Sequence, residues 1–343
     1  MKFSTEITFP IDTATNANLS AIAIYPQSQP KFFITHHPSQ NVISVFSLNE
    51  RRLVKKIHVN EDGPSGVGDG IRGMYVHNFD SIFLMAPLEQ RIYLIDSSAF
   101  LRKKYSVAND KGYAIMDITN SAYIQNELLY LSAYPPPLRL STSSDFAVLV
   151  LNLNTGELTS EFNLTKEYDR GHWGKHIYFR SRLLYDDENM RQIVSFPNDN
   201  YLHVQNHSGS IEKKFAGSAE INTLKPLDTK YVDDDEKNYK LAARQGSYGS
   251  LYYDHWNKLF YRLANNPIKS EYSSPFDTVL NPVLIILDEN LFKIGEFKLP
   301  SNVYRTSYVF ITPDGLHIFN VKKYNKDEDF FYFDVFRPVK KSD

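Results

Sequence analysis

The chain alternates short apolar runs with polar turns along its whole length. The apolar runs are rich in Val, Ile, Phe, Tyr and Thr, and Asn, Asp, Gly and Pro bound them. This pattern is typical of β-strands joined by tight turns. Long helical periodicity is nearly absent, and no crossover helices fit between the strands. The pattern therefore excludes a parallel α/β sheet.

One unit of this pattern recurs along the chain. It consists of an apolar strand, a turn of Asn, Asp, Ser or Gly, and a second strand with an aromatic residue or Ile near its end. Two further strands precede each copy, and roughly 45–50 residues with four antiparallel strands are typical of a β-propeller blade. The copies are VFSLNERRLVKKIHV (45–59), LIDSSAFLRKKYSV (94–107), VLNLNTGELTSEFNL (150–164), HVQNHSGSIEKKFAG (203–217) and IILDENLFKIGEFKL (285–299).

The sixth unit, within residues 307–336, has only three strands. The amino-terminal segment KFSTEITFPI (2–11) resembles FKIGEFKLP (292–300) in spacing and precedes the first complete unit. We predict that this segment pairs with the last unit and supplies its outer strand, which closes the ring and removes an open edge. The predicted fold class is all-β: a single β-propeller domain over residues 1–343 with six blades, or with seven as the alternative.

Composition narrows the function classes. The 343 residues include 38 basic and 40 acidic side chains, for a formal charge of −2, so the basic field of a nucleic-acid binder is absent. No apolar run reaches the ~18 residues of a transmembrane segment. Cysteine is absent, so the fold uses no disulfide. The start MKFSTEITFP lacks the apolar centre of an export signal. The protein is therefore cytoplasmic, or its signal has been removed.

The stretch GPSGVGDG (63–70) places glycines as a nucleotide-binding P-loop does. A P-loop needs a lysine for the phosphates and a Ser or Thr for magnesium, followed by a helix. Asp69 and Gly70 stand at those two positions, and a strand pattern follows. An acid there would repel phosphate. We interpret the stretch as a glycine-rich connector between blades that does not bind nucleotide.

The same stretch begins a resemblance to known proteins. GPSGVGDGIRGMYVHNFDSIFLMAPLEQRIYLID (63–96) looks like an NHL-type blade. The whole chain resembles a family of uncharacterised Bacteroidota proteins, predicted lipoproteins with a six-bladed, NHL/TolB-like β-propeller and known as a domain of unknown function. The resemblance implies an extracytoplasmic protein of the periplasm or outer membrane, with the signal and a lipid-bearing cysteine removed. A cytoplasmic location stays open.

In propellers, ligands commonly meet the face formed by the connectors between blades and by the loops joining second and third strands. In four predicted connectors an arginine precedes an aromatic residue by three or four positions. An arginine fork can clamp an anion, and aromatic rings stack on sugars or peptide side chains. The alternative is structural, with the arginines capping strand carbonyls or stacking on neighbouring rings. The pairs are Arg72 and Tyr75, Arg170 and Trp173, Arg244 and Tyr248, and Arg305 and Tyr308.

Three polar clusters contain residue types that bind metal ions, but the sequence favours none of them as a metal site. His172 and His176 are spaced for zinc on a helix, but this stretch is predicted as a loop entering a strand. His36 and His37 end a strand, where neighbouring side chains point to opposite faces. The acids of DDDE (233–236) lack the spacing of a calcium loop and are predicted to form a solvated turn.

We therefore predict a non-catalytic binding or scaffolding propeller, of the cell envelope, that recognises a protein, peptide or glycan at the connector face. No catalytic residue, metal or cofactor is assigned, because no nucleophile motif is present. The alternative is a metal-dependent propeller enzyme resembling lactonases or lyases. A structural subunit of an envelope assembly is a third reading.

Overall fold

The computed structural model describes residues 1–339, apart from a few single positions and three short segments. Its elements are nearly all β-strands, as the alternating pattern predicts. Side chains at positions 239 and 242 are also outside the description. The residues left out are 14, 27, 65, 69, 121, 136–140, 175–177, 269–280 and 340–343.

Six antiparallel sheets follow one another along the chain, and this is the arrangement of a six-bladed β-propeller. The predicted fold class is confirmed. We number the blades in the order of their inner strands. The first half of the strands comprises β1 (Lys2–Pro10), then blade 1 with β2 (Ala21–Tyr25), β3 (Phe32–His37), β4 (Val42–Ser47) and β5 (Arg52–His58), then blade 2 with β6 (Gly73–Asn78), β7 (Ser81–Ala86), β8 (Arg91–Ile95) and β9 (Leu101–Ser106), then blade 3 with β10 (Tyr113–Ile115), β11 (Tyr123–Gln125), β12 (Leu128–Tyr134), β13 (Phe146–Asn152) and β14 (Leu158–Asn163).

The remaining strands form blades 4 to 6, and two helices lie among them. The eleven-residue helix α1 precedes blade 5, and the single-turn helix α2 follows the second strand of blade 6. In order these are blade 4 with β15 (Arg182–Asp186), β16 (Arg191–Ser195), β17 (Tyr201–Gln205) and β18 (Ile211–Phe215); α1 (Asp235–Gln245); blade 5 with β19 (Ser247–Asp254), β20 (Leu259–Asn265), β21 (Pro282–Leu287) and β22 (Lys293–Lys298); and blade 6 with β23 (Tyr304–Thr312), β24 (Gly315–Asn320), α2 (Val321–Tyr324) and β25 (Phe330–Arg337).

The amino-terminal strand completes the last blade, as predicted. β1 pairs antiparallel with β25, so blade 6 has the order β23, β24, β25, β1. Alternation along β1 buries Ile7 and Phe9 and leaves their neighbours more exposed. The Phe9 ring stacks on Phe33 of blade 1 at 4.7 Å between centroids and meets Phe333 of β25 edge-on at 6.3 Å. Apolar burial therefore anchors the closing strand.

The recurring turn residues have a direct structural role. In the hairpins between third and fourth strands, the side chains of Asp96, Asn152 and Asp288 each accept a hydrogen bond from the backbone amide two residues on, at 2.8–2.9 Å. Asx side chains stabilise turns in this way. The repeat visible in the sequence is thus the repeat of these capped hairpins.

The chain divides into two compact units. Residues 1–108, 115–119 and 303 onwards form unit 1, which holds blades 1, 2 and 6. Residues 109–114 and 120–302 form unit 2, which holds the main strands of blades 3, 4 and 5. Each unit has its own buried apolar clusters.

Three local features are not part of the repeated four-strand pattern. The segment 108–118 contains an additional strand, β10, which pairs with β12. The segment 218–248 contains α1, and α2 follows β24. Among the described residues, no helix has the length and apolar character needed to cross a membrane.

The acidic run 233–236 begins helix α1 and is not simply a turn. The Asp234 carboxylate accepts a hydrogen bond of 3.0 Å from the Lys237 amide, as an N-cap does. Asp235 and Glu236 lie in the first helical turn, where the helix dipole favours negative charge. These acids therefore have a structural explanation.

Candidate functional site

The eight residues of the four arginine–aromatic pairs divide between the two units. Unit 1 holds the pairs of Arg72 with Tyr75 and of Arg305 with Tyr308. Unit 2 holds the pairs that contain Arg170 and Arg244. Each pair is described below within its own unit.

The pair in blade 6 ties strand β23 to the segment that precedes blade 1. The Arg305 guanidinium lies 4.8 Å from the centroid of the Tyr308 ring and donates to the Ala17 carbonyl at 2.8 Å. The Tyr308 hydroxyl accepts from the Leu19 amide at 2.8 Å and donates to the Ala17 carbonyl at 2.8 Å. Tyr308 is buried, and Arg305 is half-buried. This pair makes the blade-to-blade contacts of the structural alternative.

The pair of Arg72 and Tyr75 in blade 2 is more exposed to solvent than the pair in blade 6. Arg72 is exposed and donates at 2.8 Å to the carbonyl of its neighbour Ile71. Tyr75, in β6, is half-buried and lies 6.2 Å from the Phe83 ring. The glycine-rich stretch before Arg72 leads into β6 and not into a helix. Its described part is a connector between blades, held by hydrogen bonds such as that from the Val67 amide to the Asn60 carbonyl at 2.9 Å.

The first pair of unit 2 separates into an exposed cation and a buried ring. Arg170 is exposed and forms an ion pair of 2.6 Å with Glu167, one helical turn earlier. Trp173 is 2% exposed, and its indole donates to the Glu167 carbonyl at 2.9 Å. The Trp173 ring packs edge-on against Tyr178 at 5.7 Å. Trp173 is therefore part of the unit 2 core.

In the second pair of unit 2, the cation that lies on the Tyr248 ring is not the predicted Arg244. Arg244 is exposed in the last turn of α1, and Tyr248 is buried in β19. The guanidinium over the Tyr248 ring belongs to Arg262 of the adjacent strand β20, 3.8 Å from the centroid. The Tyr248 hydroxyl donates to Asn200 at 2.6 Å and accepts from the Ser218 amide at 3.1 Å.

Arg262 is the most fully engaged cation that sequence reasoning missed. It is 0% exposed, and burial lowers the pKa of its guanidinium to about 10, so it stays charged near neutral pH. Its partners lie in blade 4 and just after β18: the Ser195 hydroxyl at 3.0 Å and the carbonyls of Ala216, Phe196 and Asp199 at 3.0, 3.1 and 2.8 Å. The signal was present in KLFYRLA (258–264), where an arginine interrupts an apolar strand.

Arg262 also fixes the turn between β16 and β17. Two of its acceptors, the Phe196 and Asp199 carbonyls, flank Asn198. The Pro197 carbonyl accepts from the Tyr248 amide at 3.0 Å. Asn198 itself is 5% exposed, and neither its Oδ1 nor its Nδ2 has a hydrogen-bond partner within the described part of the chain. Asn198 thus lies in a turn that Arg262 bonds through two backbone carbonyls.

Two further side-chain amides, near the start of β19, also have a buried polar atom without a hydrogen-bond partner among the described residues. Asn265 is paired in register with Ser247, and Asn266 accepts from the Ser218 hydroxyl at 2.7 Å. Asn265 Oδ1 and Asn266 Nδ2 are buried atoms without partners among the residues the structure describes. We call Asn198, Asn265 and Asn266 the amide cluster. It lies at the connector end of blades 4 and 5, meaning the end that carries the connectors and the loops between second and third strands.

The histidines considered as metal ligands have other partners. His36 bonds the Ser20 hydroxyl at 2.6 Å and Asn41 at 3.2 Å, and His37 bonds the Thr35 hydroxyl at 2.9 Å. Burial lowers the pKa of both imidazoles to about 4.

His172 Nε2 bonds Asn238 of α1 at 2.8 Å, and His176 lies outside the described residues. The described residues contain no group of three or more His, Cys, Asp or Glu side chains placed to hold a metal ion.

Comparisons with known proteins agree on family and fold. Residues 1–298 match the family described as Domain of unknown function (DUF4221). A crystal structure of a DUF4221 member from Bacteroides vulgatus is 18% identical, with 98% of this chain and 97% of that chain covered and a TM-score of 0.80.

Two more distant structures share the fold alone. A "Putative exported protein" from Bacteroides fragilis is 9% identical, with 97% and 95% of the two chains covered and a TM-score of 0.61. Hydrazine synthase from Kuenenia stuttgartiensis is 9% identical, with 91% and 77% covered and a TM-score of 0.52. No curated protein matches the chain. Because the family match spans far more than half of the 343 residues, the chain belongs to the DUF4221 family.

Proposed function

We propose that this protein is a non-catalytic binding or scaffolding propeller of the cell envelope, and that it recognises its ligand or partner at the connector end of its blades. One observation carries the proposal. Arg262 bonds two carbonyls of the turn between β16 and β17, and the Asn198 carboxamide in that turn is buried without a hydrogen-bond partner among the described residues. Buried polar groups without partners destabilise a fold, so they are expected where a ligand completes them.

The chemistry of this end favours binding over catalysis. Its unpartnered groups are carboxamides, which donate and accept hydrogen bonds but do not titrate near neutral pH. General acid–base catalysis needs a group whose pKa lies near the operating pH. The charged groups close by are engaged: Arg262 with four acceptors, and Asp199 with His203 at 2.8 Å.

The exposed arginines of the connectors are a second contribution to recognition. Arg72 and Arg244 are exposed, and Arg170 is exposed beside Glu167. Guanidinium groups at these places would favour acidic groups on a partner. Arg305 is the weaker candidate, because its guanidinium already holds the Ala17 carbonyl.

The envelope location extends to this chain what the family resemblance implies. The Bacteroides fragilis protein named above, which shares the fold, is described as a "Putative exported protein". The test is fractionation of cells that express the protein from its native gene. An anchored lipoprotein would partition with the envelope, and mass spectrometry would find an acylated amino terminus on the mature chain. Recovery with the soluble cytoplasmic proteins would contradict this part of the proposal.

The binding function is tested by screening the purified protein against peptide and glycan libraries. Hydrogen–deuterium exchange then maps any hit. We expect protection in the turn 196–200 and in the connector 218–248, which both belong to unit 2. Protection confined to the hairpins between third and fourth strands would contradict the connector-end location. Turnover of a hit that requires added metal, together with a stoichiometric ion in elemental analysis, would favour the metal-dependent enzyme instead.

A further inference from the structure

Strand β18 (Ile211–Phe215) is the outer strand of blade 4 and forms one edge of its sheet. Its register with β17 is continuous from Tyr201 opposite Phe215 to Gln205 opposite Ile211. The other outer strands, β1, β5, β9, β14 and β22, lie in ladders that each contain a register shift. Bulges twist an edge strand away from further pairing. In the described part of the chain, β18 is therefore the outer strand that keeps a regular edge.

The hydrogen bonds of this ladder show which backbone groups of β18 point outward. The Ala216 amide donates to the Asn200 carbonyl at 2.9 Å, and the Asn206 amide donates to the Ser210 carbonyl at 3.1 Å. Bonded and non-bonded pairs alternate in an antiparallel ladder. The amides and carbonyls that point away from β17 are therefore those of Ile211, Lys213 and Phe215. No described residue forms a hydrogen bond with these backbone groups.

The side chains along this edge are exposed to solvent. Ile211 is 53% exposed and Phe215 is 50% exposed. Alternate side chains of a strand share a face, so both lie on the same face as Lys213. The Phe215 ring meets the Tyr201 ring, which is 41% exposed, edge-on at 5.6 Å. Blade 4 thus presents apolar side chains beside its open edge. Blades 1 to 3 bury the residues that correspond to Phe215, namely Ile57, Tyr105 and Phe162.

The cations near this edge differ in how closely they are paired. The ion pairs are Lys213 with Asp199 at 3.9 Å, Lys214 with Glu212 at 3.2 Å, and Lys293 with Glu296 at 2.6 Å. The Lys213 pair is longer than a hydrogen bond, and the Lys213 side chain is 56% exposed. The Asp199 carboxylate also accepts from the Tyr201 amide at 3.0 Å and bonds His203 at 2.8 Å. The Lys213 ammonium can therefore turn to an acidic group on a partner while Asp199 keeps both bonds.

A strand added to this edge would meet three side chains on one face. Directly opposite residues stabilise a pair of strands when both are apolar or when their charges are unlike. The matching strand is therefore apolar opposite Ile211 and Phe215 and acidic opposite Lys213. Extended peptides bind exposed sheet edges in this way, with backbone hydrogen bonds for affinity and alternate side chains for specificity.

A second copy of this chain fits the edge poorly. Two copies of β18 would pair antiparallel about a two-fold axis. Each such register that pairs three or more β18 residues is centred on Glu212, Lys213 or Lys214, and so places two like charges directly opposite each other. Like charges there destabilise a sheet, and charged residues on edge strands prevent self-association in this way. The edge therefore favours a peptide of different sequence over a second copy.

We propose that the outer edge of β18 binds an extended peptide of another protein by strand addition, with an acidic side chain opposite Lys213 and apolar side chains opposite Ile211 and Phe215. The outward backbone groups of these three residues supply the hydrogen bonds of the added strand. The exposed Phe215 and Tyr201 rings cover one of its apolar side chains. The site goes beyond the connector-end binding proposed above and uses no residue of the amide cluster. The two proposals can therefore fail independently.

The test uses the full chain and a blocked heptapeptide, TFTETVT, measured by calorimetry. In the antiparallel register its Phe, Glu and Val lie opposite Phe215, Lys213 and Ile211. The control peptide carries an N-methyl group on the Glu amide, which removes one hydrogen bond of the ladder and changes no side chain. We expect TFTETVT to bind. The N-methylated peptide should bind at least about tenfold more weakly, because the methyl group also blocks close approach of the two strands.

Charge exchange at one position tests the acidic preference. Lys213→Glu should reverse the affinity order of TFTETVT and TFTKTVT, which carries Lys in place of Glu, because the unlike pair then forms with the second peptide. Lys213→Gln should weaken the binding of TFTETVT by about threefold, as loss of an exposed ion pair implies. Lys103→Gln is the matched control, since Lys103 has the same place in the outer strand of blade 2. This control should bind TFTETVT normally.

Hydrogen exchange locates the bound peptide. The amides of Ile211, Lys213 and Phe215 should exchange fast in the free protein and at least about tenfold more slowly in the complex. Binding that leaves these amides unprotected would overturn the inference. So would a failure to bind by TFTETVT and by its variants with Ile, Leu or Tyr at the two apolar positions. Protection of the same amides in concentrated protein without peptide would show self-pairing and would also contradict it. The connector-end proposal is unaffected by each of these results.

Discussion

Arg262 bonds the carbonyls of Phe196 and Asp199, on either side of Asn198 in the chain, yet the polar groups of Arg262 and Asn198 differ sharply in their hydrogen bonding. Arg262 is completely buried, and each of its three nitrogens bonds an oxygen of blade 4 or of the connector after it. Asn198 is almost as buried, lies between two of those oxygens, and has no partner for either polar atom among the described residues. The Arg262 side chain stabilises the fold, whereas Asn198 lies in a turn that Arg262 holds.

The difference separates structural polar groups from those available for recognition. A buried charge is tolerated only when its hydrogen-bonding capacity is filled, and Arg262 meets that condition. A buried amide without hydrogen-bond partners costs stability, and such groups are expected at functional sites. The arginine–aromatic pairs seen in the sequence can be sorted by the same criterion. Arg305 and Tyr308 belong with the structural groups, because both side chains bond the Ala17 carbonyl.

Loss of the Arg262 guanidinium should have the largest effect. Arg262→Met would leave buried carbonyls of blade 4 without donors, so we expect the free energy of unfolding to fall by about 3 kcal/mol or more. Arg262→Lys should recover only part of the loss, because an ammonium cannot reproduce the planar fork. Urea unfolding measures both. A loss below about 1 kcal/mol for Arg262→Met would show that the network is not structural.

Acidification should weaken the protein through the buried histidines of unit 1. Burial lowers the pKa of His36 and His37 to about 4 and that of His317 to about 3, whereas an unfolded histidine titrates near 6.5. The unfolded chain then binds more protons below pH 6.5, so stability is complete above that pH and falls as the pH drops toward 4.

The expected loss between pH 7.5 and 5.5 is about 1 kcal/mol per histidine. His317→Gln, which cannot titrate, should lose about that much less than the wild type over the same interval. Equal losses in the two proteins would contradict the assignment of His317 as a buried neutral group.

The tyrosine hydroxyls should have intermediate effects. Tyr248→Phe leaves Asn200 and the Ser218 amide without their partner, and Tyr308→Phe does the same to the Leu19 amide. We expect each change to cost about 1–2 kcal/mol. A double-mutant cycle between Tyr248→Phe and Arg262→Met should show coupling of at least about 0.5 kcal/mol, because the guanidinium lies on the ring. Additive effects would argue against a shared network.

The smallest effect on stability is expected at Arg72. Arg72→Ala should change the free energy of unfolding by no more than about 0.5 kcal/mol, since the side chain is exposed. Arg305→Ala should cost about 1 kcal/mol, because it removes the bond to the Ala17 carbonyl. Once a ligand is identified, unchanged binding by Arg72→Ala would remove this arginine from the proposed recognition surface.

The blades could be predicted because their determinants are local. Alternating burial and Asx-capped hairpins repeat within each unit, so residues such as Asp96 and Asp288 reveal the architecture without any long-range information. Even the closing strand was predictable, since the last unit lacks a fourth strand and the segment 2–11 has the spacing of the outer strand at 292–300. Helix α1 also had local signals, namely Asp234 at its start and acids in its first turn.

The amide cluster could not be predicted in the same way. Arg262 bonds residues about 46 to 67 positions away, and those contacts exist only once blade 5 packs beside blade 4. In the sequence, Tyr248 was therefore paired with the nearby Arg244, although the cation on its ring comes from Arg262. Whether an asparagine side chain finds hydrogen-bond partners depends on all its neighbours in space. The residues next to Asn198 in the chain do not indicate which groups those neighbours are.

The most direct test of the account compares the unfolding midpoints of Arg262→Met and Asn198→Leu, measured together under one set of conditions. The account predicts a large fall for Arg262→Met and no fall, or a small rise, for Asn198→Leu. Comparable falls in both variants would contradict it, because the Asn198 amide would then stabilise the free protein as Arg262 does.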